Sequence, residues 1–81
     1  MSTTPILIPK EGMGTTEGTI ARWLKAEGDR VTAGETVVEI EFAKAVTEVP
    51  SPATGVLRKI LLAEGQTADV HTQIALIEPD S

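Results

Sequence analysis

Among the side chains able to do chemistry, Lys44 stands apart by its surroundings. It is the only basic residue between Arg30 and Arg58, and it lies between Ala43 and Ala45 in an otherwise acidic stretch. An amine at the tip of a tight hairpin is accessible to a modifying enzyme, and a group attached to it can swing without striking the body of the domain. The sequence therefore makes Lys44 a candidate for covalent modification.

The residues around Lys44 predict such a hairpin. Residues 39–41 lead in, residues 42–45 form the candidate turn and residues 46–49 lead out. The Pro-Ser-Pro sequence at positions 50–52 then ends the second strand, because proline fixes φ and lacks a backbone donor. We expect Phe42 to lie in the core.

The other candidates for chemistry have simpler explanations. His71 is the only histidine and the chain has no cysteine, so we expect a surface turn residue and no metal site. The acids Glu39, Glu41 and Glu48 could act as paired carboxylates, but on exposed hairpin strands they are expected to be solvated. Trp23 is expected to be partly buried. With no nucleophile–base pair or phosphate-binding loop, the sequence predicts a non-catalytic domain.

Length, charge and composition narrow the class of protein. An 81-residue chain forms one domain, and its net charge of -5 would repel a phosphate backbone or an anionic bilayer. No segment approaches the roughly 20 apolar residues that span a membrane, and the N-terminus does not resemble a signal peptide. We therefore expect a cytoplasmic domain with protein partners and with neither a nucleic-acid nor a membrane partner.

Short runs of β-branched and aliphatic residues predict an all-β fold. Glycine and proline recur so often that the runs between them are too short for helices of normal length. The predicted strands are residues 6–8, 19–24, 37–40, 46–49, 56–62 and 74–77. Many short strands with regular turns are typical of a flattened barrel or sandwich.

Two of these segments also carry a helical signal. Each contains three large apolar residues spaced i, i+3, i+4: Ile20, Trp23 and Leu24 in one, and Leu57, Ile60 and Leu61 in the other. Because each segment is only about seven residues long, we predict strands in which a β-bulge brings residues three apart to one face.

The two segments belong to an internal repeat. When the chain is shifted by 37 positions, seven identities fall within the 24 positions from Gly18 to Glu41. They include an Ala-Glu-Gly sequence that ends at Gly28 in one half and at Gly65 in the other. The repeat predicts two halves related by an approximate two-fold axis, with both glycines at positive φ in equivalent turns and Lys44 at one pole.

The chain resembles the lipoyl domains of the biotinyl/lipoyl-attachment family over most of its length. The resemblance rests on IPKEGMGTTEGTI at positions 8–20, EGDRVTAGETVVEIE at 27–41 and VPSPATGVL at 49–57. It implies two small antiparallel sheets in a flattened barrel over residues 5–78, a flexible N-terminus at 1–4 and a tail or linker at 79–81. It also implies lipoate on Lys44 and, close to the hairpin of Glu41, Phe42, Ala43 and Ala45, a loop carrying Glu11, Gly12 and Met13.

The same resemblance implies a function. A lipoyl domain carries acyl groups and electrons between active sites of a 2-oxo acid or acetoin dehydrogenase complex and belongs to a dihydrolipoamide acyltransferase. Its partners would be a lipoate ligase or lipoyl/octanoyl transferase, a thiamine-diphosphate-dependent decarboxylase, the acyltransferase core and dihydrolipoamide dehydrogenase.

The hairpin tip departs from the family pattern. Lipoyl domains usually have Asp before the lysine and Thr before that Asp, whereas this chain has Phe42 and Ala43. The missing Asp removes a charge beside the amine and a side chain able to bond the turn backbone. Two alternatives stay open: a biotin carrier domain, whose lysine is characteristically flanked by Met, and an unmodified structural or interaction module of the same fold.

Overall fold

The fold consists of two small antiparallel sheets. A computed structural model of the protein describes residues 3–10, 16–43 and 45–80. Its strands are β1 (Thr4–Leu7), β2 (Glu17–Trp23), β3 (Arg30–Val31), β4 (Thr36–Phe42), β5 (Ala45–Pro50), β6 (Gly55–Ile60), β7 (Thr67–Asp69) and β8 (Gln73–Pro79). Sheet A has the order β1-β8-β6-β3 and sheet B the order β5-β4-β2-β7. The predicted all-β architecture is confirmed.

Aliphatic side chains fill the space between the two sheets, because alternate residues of a strand point to the same face. In β4, Val38, Ile40 and Phe42 are buried, whereas Glu39 and Glu41 lie on the outward face. The core comprises Ile6, Ile8, Ile20, Val31, Val37, Val38, Ile40, Phe42, Val49, Leu57, Ile74, Ala75 and Ile77. Burial of a large aliphatic side chain contributes about 1.5–3 kcal/mol, so packing holds together a domain that has no disulfide.

All six predicted strands are present, and the structure adds two. β3 and β7 have only two and three residues, too few to show an alternating pattern in the sequence. β1 begins at Thr4 and β8 ends at Pro79, one residue beyond each end of the predicted 5–78 span. Asp80 also contacts the body of the domain, through its backbone N–H to Thr54 and its carboxylate to Arg30.

The bulges predicted from the helical spacing are confirmed. The β2–β4 register shifts between Ile20 and Arg22, and the β6–β8 register shifts between Leu57 and Lys59. The two shifts occupy equivalent places in the repeat, since Ile20 and Leu57 are 37 positions apart. An extra residue in each strand therefore produces the i, i+3 spacing without a helix.

The two halves make reciprocal hydrogen bonds. The Gly28 N–H donates to the Leu57 carbonyl at 2.7 Å, and the Gly65 N–H donates to the Ile20 carbonyl at 2.8 Å. The two glycines have φ values of 96° and 86°. This equivalence of the Gly28 and Gly65 turns confirms the pseudo-two-fold repeat.

No helix long and apolar enough to cross a membrane occurs within residues 3–10, 16–43 and 45–80.

Candidate functional site

The β4–β5 hairpin has the geometry expected of an attachment site. The register pairs Glu41 with Val46 and Phe42 with Ala45, so only positions 43 and 44 connect the two strands. Lys44 itself lies outside the described residues. A two-residue connection between fully paired strands holds a reactive group at the outermost point of the hairpin.

Phe42 braces the base of this tip from inside the core. Its side chain is 7% exposed, as predicted, and its ring lies over Gly18 of the neighbouring strand β2. A Cβ at Gly18 would lie 2.9 Å from Phe42 Cε1 and 2.7 Å from Ile40 Cγ2. The absence of a side chain at Gly18 therefore creates the space that the aromatic ring occupies beneath the hairpin.

The described residues at the tip of the hairpin, apart from Phe42, face solvent. Glu41, Ala43 and Ala45 are exposed, and Val46, at 57%, is the most exposed large hydrophobic residue in the part of the chain that the structure describes. No described side chain covers the tip. The described residues next to the lysine position are thus two exposed alanines and an exposed valine.

The loop that contains Glu11, Gly12 and Met13 lies outside the described residues, but both of its ends are held by one turn. Ile8 accepts a hydrogen bond from the His71 N–H and donates its own N–H to the Thr72 carbonyl. Thr16, at the other end, accepts from the Val70 N–H at 3.0 Å. Because β2 pairs antiparallel with β4 through Thr19 and Glu41, Thr16 enters the sheet at the hairpin end.

Sequence reasoning missed the backbone conformation of His71. Its side chain is exposed, as expected, but its φ is 68°, the left-handed conformation that a non-glycine residue rarely adopts. His71 lies 37 positions after Gly34, whose φ is 89°. The repeat could have revealed this, since it aligns a histidine with a turn glycine.

The other residues considered as functional candidates either support the fold or lie on the surface. Trp23 is half-buried, and its indole N–H donates to the Leu62 carbonyl at 2.9 Å. Glu39, Glu41 and Glu48 lie on the outward face of sheet B. Within the described part of the chain, no three His, Cys, Asp or Glu side chains come together to hold a metal ion.

Two carboxyl groups with lowered pKa values lie on the surface away from the hairpin. The Thr32 backbone N–H and the Lys25 ammonium lower the pKa of Glu35 below its ordinary value. The Arg30 guanidinium lowers the pKa of Asp80 through a paired hydrogen bond. Both groups are exposed and hold neighbouring segments together, so neither is a candidate acid or base.

The hairpin fits a covalently attached prosthetic group. The chemistry requires one amine at the end of a braced turn, with small exposed neighbours that leave room for the attached group. Ala43 and Ala45 satisfy the second condition, and the Phe42–Gly18 packing satisfies the first for the turn that carries position 44.

Comparisons with known proteins agree with this geometry. A family model described as "Biotin-requiring enzyme" matches residues 4–77. The dihydrolipoyllysine-residue acetyltransferase component of the pyruvate dehydrogenase complex of Mycobacterium bovis is 47% identical over 73 residues, which are 90% of this chain and 13% of that protein. The dihydrolipoyllysine-residue succinyltransferase component of the 2-oxoglutarate dehydrogenase complex of Staphylococcus saprophyticus is 44% identical over 72 residues, covering 89% of this chain and 17% of that protein.

A solved structure is similar over its whole length. The lipoyl domain of the 2-oxoglutarate dehydrogenase complex from Azotobacter vinelandii superposes with a TM-score of 0.72 and 33% identity, covering 93% of this chain and 99% of that one. The chain thus spans a small part of the acyltransferase components and nearly all of the solved domain. It belongs to the biotin/lipoyl-attachment family and is a lipoyl domain.

Proposed function

We propose that this domain carries a lipoyl group on Lys44 and presents it in turn to the active sites of a 2-oxo acid dehydrogenase complex. The observation that carries the proposal is the β4–β5 register, which is continuous from Val38–Val49 to Phe42–Ala45 and leaves only positions 43 and 44 to connect the two strands. Similarity to a solved lipoyl domain supports lipoate over biotin.

The domain's own residues present the group and perform no bond chemistry. The lipoyl dithiolane, when attached, supplies a disulfide that can be reductively acylated and later reoxidised. Phe42, packed against Gly18, keeps the hairpin base rigid, so that motion is confined to the lysine and its arm. Tethering raises the effective concentration of the carried group at each active site.

The partners follow from the reaction sequence. A lipoate ligase or a lipoyl/octanoyl transferase forms the amide on Lys44. A thiamine-diphosphate-dependent decarboxylase would supply the acyl group, an acyltransferase core would accept it and dihydrolipoamide dehydrogenase would accept the electrons. The acetyl- and succinyltransferase names of the relatives support membership of an acyltransferase chain.

The test is intact-mass measurement after expression with both lipoate and biotin supplied, followed by peptide mapping. We expect one lipoyl group on the peptide that contains Lys44 and none after Lys44→Arg. Lys59→Arg is the matched control and should be lipoylated like the wild type. Biotin on Lys44 would identify a biotin carrier, and an unmodified chain would identify a structural module.

A further inference from the structure

The acidic side chains of this domain fall into two groups according to what they contact. Of the described acids outside sheet B, three form ion pairs, which are Lys25–Glu35, Arg30–Asp80 and Arg58–Glu78. The other three, Glu27, Asp29 and Glu64, each accept a hydrogen bond from a backbone N–H. Each of these six carboxylates therefore helps to hold the fold together.

The acids on the strands of sheet B form the second group. They are Glu17, Glu39, Glu41, Glu48 and Asp69. Among residues 3–10, 16–43 and 45–80, no side chain forms an ion pair or hydrogen bond with any of these five carboxylates. They share the outward face of the sheet, whose strands contain a single base, Arg22.

The strand register makes this outward face electrostatically unfavourable. Glu39 of β4 is directly opposite Glu48 of β5, and Glu17 of β2 is directly opposite Asp69 of β7. On its other side Glu39 is opposite Arg22 of β2, which offsets part of the first repulsion. Like charges placed opposite each other across a strand pair destabilise a sheet. A positively charged surface placed over the sheet would relieve both repulsions.

An apolar contact lies between these charges and the attachment site. Val46, 57% exposed, is opposite Glu41 on the same outward face and follows Lys44 by two positions. Ala43 and Ala45 are exposed on either side of the lysine position. The hairpin thus offers an apolar patch, formed by Val46, that is continuous with the acidic face.

We propose that the outward face of sheet B is the docking surface for the enzyme that forms the lipoyl amide, and that this enzyme packs an apolar residue on Val46 within a rim of Lys and Arg. The proposal rests on the function proposed above. This enzyme must bring its active site to the lysine nitrogen itself and so must contact the patch. A decarboxylase, in contrast, acts at the far end of the arm.

The test measures lipoylation of unmodified domain by a purified lipoate–protein ligase, with lipoate and ATP, and follows intact mass over time. Glu48→Gln is compared with Glu78→Gln, which changes the net charge equally but lies on sheet A. Val46→Ser is compared with Leu61→Ser, since Leu61 is 42% exposed and remote from the hairpin. Ligase affinity for the Lys44→Arg forms of the same variants gives a second readout that needs no modification.

We expect Glu48→Gln to lower kcat/KM about threefold at low salt, and the difference to disappear near 0.5 M salt, where charges are screened within about 4 Å. Val46→Ser should lower it about fivefold at both salt concentrations, because the lost contact is apolar. Glu78→Gln and Leu61→Ser should match the wild type. Melting temperature should not fall in Glu48→Gln, because the substitution removes a repulsion.

Equal rates for Glu48→Gln and Glu78→Gln, or for Val46→Ser and Leu61→Ser, would overturn the docking face while leaving the carrier function intact. A wild-type chain that the ligase cannot modify would contradict both proposals.

Discussion

Gly18→Ala tests the idea that the Phe42 ring braces the β4–β5 hairpin from inside the core. The added methyl group would lie 2.7 Å from Ile40 Cγ2 and 2.9 Å from Phe42 Cε1, closer than unstrained carbon atoms approach. Both neighbours are buried and cannot swing into solvent. Overpacking of this kind costs about 1–3 kcal/mol, which for a domain of this size lowers the melting temperature by roughly 4–8 °C per kcal/mol.

The assay combines urea denaturation with amide NMR spectra. We expect reduced stability together with chemical-shift changes at Ala43 and Ala45, because displacement of the Phe42 ring moves the hairpin tip. The double variant Gly18→Ala/Phe42→Leu should recover part of the loss, since leucine leaves more space. Gly65→Ala is the matched control: it should lose stability with no change at the tip. A Gly18→Ala protein within about 0.5 kcal/mol of wild type would refute the bracing role.

Three further predictions follow from the backbone and the surface charges. Gly28→Ala and Gly65→Ala should each cost about 1 kcal/mol, because both glycines have positive φ with open space around them, and unequal losses in urea denaturation would contradict their equivalence. His71→Gly should stabilise the domain by up to about 1 kcal/mol, since glycine adopts the φ of 68° without strain, whereas His71→Ala should show no gain in the same assay. Arg30 lowers the pKa of Asp80, so the stability that this pair contributes is present above the ordinary carboxyl pKa and is lost as the pH falls through the lowered value. Arg30→Gln should therefore raise the Asp80 pKa in a carboxyl NMR titration. The same substitution should destabilise the domain at neutral pH but not in strong acid.

The sequence allowed prediction of the fold where a pattern extended over several residues. Six strands, both bulges and the equivalence of Gly28 and Gly65 followed from apolar spacing and from the repeat. The short strands β3 and β7 did not, because they owe their pairing to the turns that precede them. The Gly28 N–H donates a hydrogen bond to β6, the partner of β3, and the Gly65 N–H donates one to β2, the partner of β7. Each turn therefore places its short strand beside the strand that it pairs with.

At the candidate site, the sequence pattern predicts attachment at Lys44, which lies outside the described residues, and it predicted the burial of Phe42, which the structure confirms. The Gly18–Phe42 contact was not predictable, because it depends on the β2–β4 register after the bulge, and a bulge shifts pairing by one residue. The sequence also could not show which acids form an ion pair or accept a backbone hydrogen bond and which do neither. Glu27 and Glu48 are both isolated glutamates in the sequence, and only the tertiary structure distinguishes the acid that binds a backbone N–H from the one that faces solvent.

The repeat itself indicates that the fold does not require an acidic outward face on sheet B. The position equivalent to Glu39 on sheet A is Leu76, the position equivalent to Glu17 is Thr54, and Asp69 corresponds to Thr32. These uncharged residues lie at the equivalent positions of the repeat, so the acids are not needed for strand pairing. The equivalent of Glu41 is Glu78, which is acidic but is neutralised by Arg58 at 2.9 Å.

Sheet B, whose hairpin presents Lys44, thus carries five acids that no described side chain pairs, whereas Glu78, the one acid on the strands of sheet A, is paired with Arg58. Core packing is similar in the two sheets, so it does not explain the difference. The docking proposed above does explain it, because the modifying enzyme would approach at the hairpin of sheet B. Replacing Glu39 with Leu, as its equivalent position allows, should therefore leave the fold intact without loss of stability in urea denaturation, because the repulsion from Glu48 and the attraction to Arg22 are removed together. Lipoylation by the ligase should become slower at low salt. Parallel losses of stability and lipoylation would show instead that Glu39 supports the sheet.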